Sequence, residues 1–308
     1  MEPVIEIPVV APRQPCPCGS GRRYKSCHGS NRADRMVTLR PFAGRVDEAD
    51  WVALREVVPS AVAPLKLKDP AYADRSVFLT TVLPAGWPGL VRSDGVIYVA
   101  LQTPRRCGDL ARDLGQVVNL ALETEPGNAV QGLPAAPDAP RVHDLVADEA
   151  IDVAVLDNFA FWVESMADET GALRTALESA NASIVPTARL ASVEAAYWCR
   201  IKERAHLRWA MAQDEDVLLD ALARLAATRS LGLGEGTKCI GAFRACGLLI
   251  PVWDLPGDLT AGELERPAAE LAARLEETLA DLVAHPRKPN ADEQRARSGL
   301  LSRQLTLN

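Results

Sequence analysis

The sequence predicts an α+β chain: a small cysteine-bearing knuckle followed by a mixed antiparallel-sheet domain with packed helices. Three observations carry this. Cys16, Cys18 and Cys27 crowd into one short N-terminal segment. Farther on, runs with apolar residues at every second position alternate with runs at helical spacing. The composition, 48% hydrophobic and 24% charged over 308 residues, suffices for a sizeable core. A formal net charge of -7 opposes sequence-independent phosphate binding, so nucleic acid is a secondary reading that would need a local basic face. No run approaches the roughly 18 uninterrupted apolar residues of a membrane helix. Glu2 and Glu6 stand where a signal peptide carries Lys or Arg, so the expected location is the cytoplasm.

Residues 1–11 alternate Pro with apolar residues, lack turn chemistry and read as a flexible arm; residues 12–30 hold the cysteine segment. VTLRPFAGRV, from Val37 to Val46, suggests a short strand interrupted by Pro41. Asp47 then caps a helix with Trp51, Leu54, Val57 and Val58 on one stripe, which Pro59 ends. SVFLTTVL (76–83) and GVIYVALQ (95–102), rich in branched residues, predict a β-hairpin with a long loop. Asp109 opens an amphipathic helix through Leu110, Leu114, Val117, Val118, Ala121 and Leu122. The Pro-, Ala- and Gly-rich stretch 125–144 reads as either a mobile surface loop or a linker between two halves, IDVAVLDNFAFWV from Ile151 as a strand, and 168–182 as a helix.

In AYWCRIKERAHLRWAM, from Ala196 to Met211, apolar residues take odd positions, while Arg200, Lys202, His206 and Arg208 take even ones. Period 2 means strand. If the run folds back on itself, a three-residue loop at Glu203 to Ala205 keeps the apolar and basic faces apart, whereas a two-residue loop mixes them. Asp214 and Asp216 open a helix carrying Val217, Leu218, Leu222 and Leu225. Gly247 to Leu255 returns as a strand whose Pro251 suits an edge or a bulge. Thr260 and Glu263 have capping-box spacing, and the helix they open runs to Pro286. Residues 285–308, with Arg287, Lys288, Arg295, Arg297 and Arg303, read as a mobile tail. The expected domain is thus 37–284, with halves 37–124 and 145–284 that each read hairpin, helix, strand, as a duplicated ββαβ unit would.

The segment PCPCGSGRRYKSCHG sets Cys16 and Cys18 one residue apart, with Cys27 beyond a Gly-Ser-Gly turn and His28 beside it. Two close pairs of soft or borderline ligands match tetrahedral Zn2+ with every position filled, a structural site rather than a catalytic one. A peptide this short has almost no core. Metal binding, on the order of 10–16 kcal/mol apparent at neutral pH, would supply its folding free energy. Tyr24 would be its apolar lid.

This segment resembles the SEC-C motif, the zinc-binding peptide of the preprotein translocase ATPase SecA, in Cys16, Cys18, Gly19, Ser20, Gly21, Tyr24, Lys25, Cys27, His28 and Gly29. The resemblance covers about twenty residues. It implies zinc ligation by Cys16, Cys18, Cys27 and His28 and docking to another macromolecule, as SecA's motif docks a chaperone. The rest of the chain has no Walker A pattern. With DWVALREVVP, the AYWCRIKERAHLRW run and GLLIPVWDLP, it is similar to an uncharacterised bacterial family in which a SEC-C motif precedes a domain of unknown function, which implies no activity.

The remaining candidates are weaker. Arg200, Lys202, His206 and Arg208 on one strand face would suit an anion, a phosphate backbone or an acidic partner; a solvated face paired with carboxylates is the alternative. Cys239 and Cys246 read as core packing. LGLGEGTK, from Leu231 to Lys238, lacks the P-loop pattern and reads as a helix cap and loop. His143 and His206 have no Ser or Cys partner in a nucleophile elbow, so no catalytic constellation follows. The expected function is a zinc-binding adaptor that engages a protein partner through residues 12–30, its basic surroundings including Arg13, Arg22, Arg23, Lys25, Arg32 and Arg35. The alternative is an enzyme or nucleic-acid-associated protein with its site on the basic strand face.

Overall fold

A computed structural model describes residues 4–6, 8, 10–11, 13–18, 23–27, 36–103, 108–130, 132–133, 136, 138–163 and 172–302. The chain divides into two compact units. The first comprises residues 1–48 and 60–181, the second 49–59 and 182–308. The boundary therefore does not fall in the 125–144 stretch, and in place of the expected halves the second unit takes residues 49–59 from between the two parts of the first.

In the first unit β1 (Val4–Glu6) pairs antiparallel with β2 (Met36–Thr38), Val4 opposite Thr38. The expected arm is thus a strand over residues 4–6. The Thr38 N–H donates to Gly108 O at 2.9 Å, and a turn with Gly44 at positive φ replaces the rest of the strand expected over 37–46. Helix α1 (Glu48–Glu56) follows as expected; from Ala49 onward it belongs to the second unit.

β3 (Ala61–Leu65), β4 (Val77–Thr80), β5 (Gly89–Val91) and β6 (Ile97–Ala100) come next, before α2 (Leu110–Glu123). β7 (Ala129–Val130), α3 (Val142–Leu145), β8 (Ala154–Val155) and α4 (Ala172–Ala182) complete the run. The sheet order is β7-β5-β6-β4-β3-β8. The two runs expected as a hairpin do pair, but in parallel, Val77 opposite Ile97 and Thr80 opposite Ala100. The reversal is made instead by β5, a strand of three residues hidden among Pro84, Gly86 and Pro88, which pairs antiparallel with β6. Ala85 and Gly86 reach it through positive φ values of 53° and 70°.

Asp109 caps α2 by accepting the Ala111 N–H at 3.0 Å, and Leu110, Leu114, Val117, Val118 and Ala121 are buried along its stripe. Burying each such Leu or Val contributes roughly 1.5–3 kcal/mol before entropy is subtracted. The expected linker supplies β7 and α3, so it is part of the fold. The strand expected from Ile151 shortens to Ala154–Val155. A helical turn at Ala160–Trp162 follows, where Phe159 stacks on Trp162 at 4.5 Å and Phe161 meets Tyr98 at 5.3 Å. The helix expected over 168–182 is described from Ala172 onward; residues 168–171 lie outside the described set.

In the second unit β9 (Thr187–Arg189), β10 (Ala196–Ile201) and β11 (Arg204–Trp209) precede α5 (Glu215–Ala227). β12 (Lys238–Ala245), β13 (Leu248–Leu255), α6 (Ala261–Ala284) and α7 (Ala291–Ser302) follow. The sheet, ordered β12-β13-β11-β10-β9, is antiparallel throughout. One face buries Leu207, Trp209, Trp253 and Leu255 in a core with Leu218 and Leu222 of α5 and Leu264, Leu271 and Leu275 of α6. Caps fall where expected: the Asp214 carboxylate accepts the N–H groups of Asp216 and Val217, and Thr260 with Glu263 forms a capping box.

β13 has a neighbour on each side, so Pro251 is not on an edge. Pro has no N–H to donate, and the β11–β13 ladder stops at Val252 and resumes only as a bridge between Met211 and Leu249. The units do not repeat one topology. After α2 the returning strand joins the first strand of its hairpin, β7 on β5, whereas after α5 the strand β13 joins the second, β11. The expected tail folds too: α7 packs on α5 and β12, with Leu300 in the core. Residues 303–308 lie outside the described set. Among the described residues no helix is long and apolar enough to cross a membrane.

Candidate metal centre

The cysteine segment is built from short-range backbone bonds. The Gln14 N–H donates to Ala11 O at 2.9 Å, and the Tyr24 N–H donates to Gln14 O at 2.8 Å. Pro15 and Arg23 form an antiparallel bridge. A single helical turn, Tyr24–Ser26, then closes with the Cys27 N–H donating to Tyr24 O at 3.0 Å. This folds the chain back so that the sulfurs of Cys16, Cys18 and Cys27 lie within 4.8 Å of one another, with Cys18 and Cys27 at 3.5 Å.

Tetrahedral zinc with Zn–S near 2.3 Å spaces its sulfurs about 3.8 Å apart, so these three donors fit. Their softness fits zinc and not a hard cation such as magnesium or calcium. His28, Gly19, Ser20 and Gly21 lie outside the described residues. Cys16, Tyr24 and Val37 are buried together, with Val10, Cys18 and Cys27 partly buried against them. Val37 belongs to β2, so the knuckle's small core is shared with the β1–β2 ribbon. Arg13, Arg23 and Lys25 are exposed around it; Arg22, Arg32 and Arg35 fall outside the described set.

The basic strand face divides. β10 and β11 are strands, but the turn has two residues, Lys202 and Glu203, with Ile201 opposite Arg204, Cys199 opposite His206 and Tyr197 opposite Arg208. Directly opposed residues share a face, so His206 and Arg208 lie with Cys199 and Tyr197. Arg200 opposes Ala205 on the other face, its guanidinium 5.3 Å from the Trp198 ring. Lys202 sits in the turn at φ 55°. The expected four-residue set does not form.

Backbone from outside the hairpin packs directly on this turn: a Cβ on Gly257 would sit 2.5 Å from Glu203 O. Sequence reasoning missed Arg204 and Asp254, which share the face of His206. The Arg204 Nε donates to Asp254 at 3.1 Å, and His206 Nε2 lies 3.7 Å from the same carboxylate. Burial holds His206 below its usual 6.5, against the opposing pull of Asp254. A second missed group is buried: Asp50 of α1 accepts from Arg189 at 3.0 Å and from the Tyr197 hydroxyl at 3.1 Å. Burial and that carboxylate push the Tyr197 phenol far up.

Cys239 stands on β12 and Cys246 in the β12–β13 turn. Burial pushes the Cys239 thiol up to about 11 and it donates to Gly241 O at 3.8 Å, the behaviour of core packing. The glycine-rich loop closes on itself. Thr237 Oγ1 accepts the Leu233 N–H and donates to Gly234 O, both at 2.8 Å. In the first unit an open groove of about 360 Å³ is lined by Leu65, Lys66, Tyr72, Val146, Glu149 and Ile151, with Lys66 and Glu149 3.7 Å apart.

Two family models match the chain. One, described as a family of unknown function (DUF5926), covers residues 41–308; the other, the SEC-C motif, covers residues 13–30. No curated protein and no solved structure matches it.

Proposed function

Since the chain belongs to the family of unknown function DUF5926 and carries a SEC-C motif, we propose that it is a zinc-binding adaptor whose knuckle docks a protein partner. Cys16, Cys18, Cys27 and His28 are the proposed ligands. The observation that carries the reading is the convergence of three thiols within 4.8 Å on a peptide whose buried core, among the described residues, is Cys16, Tyr24 and Val37. So small a core supplies a few kcal/mol at most, whereas a structural zinc supplies on the order of 10–16 kcal/mol apparent. The metal therefore decides whether the knuckle has a fixed surface. Exposed Arg13, Arg23 and Lys25 give that surface a positive rim suited to an acidic partner face. Thiolate ligation needs a reducing setting, which supports the cytoplasm.

Elemental analysis of the purified chain is expected to give one zinc per chain, and the Cys27→Ser, His28→Ala variant none. The intact chain and that variant then serve as baits on one lysate. Partners recovered only with the intact chain are expected, and their identities name the docking target. A chain without zinc ends the proposal, and the same partners on both baits would remove the docking role.

A further inference from the structure

Helix α7 is fastened in an unusual way for the last described element of a unit. Of its described side chains only Glu293 and Leu300 are buried, each 5% exposed, with Leu301 at the margin of the core. The Glu293 carboxylate accepts from Arg287 twice, at 2.5 and 2.8 Å, and from the Asn290 N–H at 2.8 Å. Arg224 of α5 stands 3.6 Å from it. Asn290 answers by accepting the N–H groups of Asp292 and Glu293 at 3.0 Å. One carboxylate thus caps the start of α7, ties down the incoming chain and faces α5.

Farther along, Arg297 pairs with Asp216 at 2.5 Å and Asp220 at 3.2 Å on α5. The attachment is a few apolar residues inside a largely ionic perimeter. A helix of about twelve residues is marginal in water by itself, so undocking and melting go together.

We propose that α7 is a strap that opens and closes as one piece over α5 and β12, with Glu293 as its fastening. β12 is an edge strand of the sheet and α7 packs on both it and α5, so opening uncovers the sheet edge together with apolar surface of α5.

Hydrogen exchange on the full chain tests this, comparing wild type with Glu293→Gln at low and high salt. The variant should exchange at α7 amides at least tenfold faster, with α5 and β12 following and β10 and β11 unchanged. Salt should narrow the difference by weakening the wild-type perimeter. An unchanged α7, or exchange rising evenly from β9 to β13, overturns the proposal. Should Glu293→Gln fail to fold, the wild type decides by its exchange in sub-denaturing urea. An α7 opening shallower than that of β10 and β11 supports the strap, and one common opening for all of them refutes it.

Discussion

Asp50 and Glu293 are both buried carboxylates, and each is satisfied by several donors. Removing Asp50 strands the Tyr197 hydroxyl and Arg189 at once, so Asp50→Ala should destabilise the second unit by about 2–3 kcal/mol. Urea unfolding followed through tryptophan fluorescence measures it. Cutting the exposed Arg266–Glu270 pair should leave the same midpoint unchanged, because solvent screens it. Glu293 is held down at about 2 from its usual 4.5, chiefly by the Arg287 hydrogen bonds. A depressed carboxyl stabilises fully above the unfolded value, and that contribution is lost as pH falls from about 4.5 toward 2. Exchange protection in α7 should therefore hold at pH 6 and fade across that acid window. The clustering of Cys16, Cys18 and Cys27 was legible in the sequence because these residues, like the proposed fourth ligand His28, lie within thirteen residues, where spacing encodes geometry. Asp50 was not, because its partner Arg189 lies 139 residues away and nothing local marks the pair.

Helices read well from the sequence because caps and stripes are local. Asp109, Asp214 and Thr260 stand where their helices begin. Strand partners read poorly. The β10–β11 alternation was visible, yet a turn shorter by one residue moves Arg200 to the opposite face, and the close approach of Gly257 to that turn comes from outside the hairpin, where local sequence does not show it. Tertiary contact also sets the sign of one substitution in α2. Gly→Ala inside a helix normally gains about 1 kcal/mol. At Gly115 the new Cβ would sit 2.1 Å from Pro140 O, a backbone atom that cannot rotate away. Gly115→Ala should therefore destabilise the first unit by about 1–3 kcal/mol, which a thermal melt would register as a lowered midpoint.

For the molecule as a whole, composition and pattern identified an α+β fold but misplaced its division, because α1 precedes β3 in sequence and packs with the later unit. Sequential reading assigns a helix to its neighbours; long-range contacts such as those of Asp50 with Arg189 and Tyr197 and of Glu56 with Cys246 reassign it. Residues 182–308 alone should accordingly be less stable than the second unit in the full chain, by at least the Asp50 contribution of about 2 kcal/mol. Urea midpoints of that piece and of the full chain, read on Trp209 and Trp253, would show it. The interleaving also sets a timetable for synthesis. At about 5–20 residues per second, Arg189 emerges roughly 7–28 s after Asp50. During that interval the first unit can complete its sheet on the ribosome while the Asp50 carboxylate waits without Arg189 and Tyr197, so the second unit closes only after the first has had time to fold.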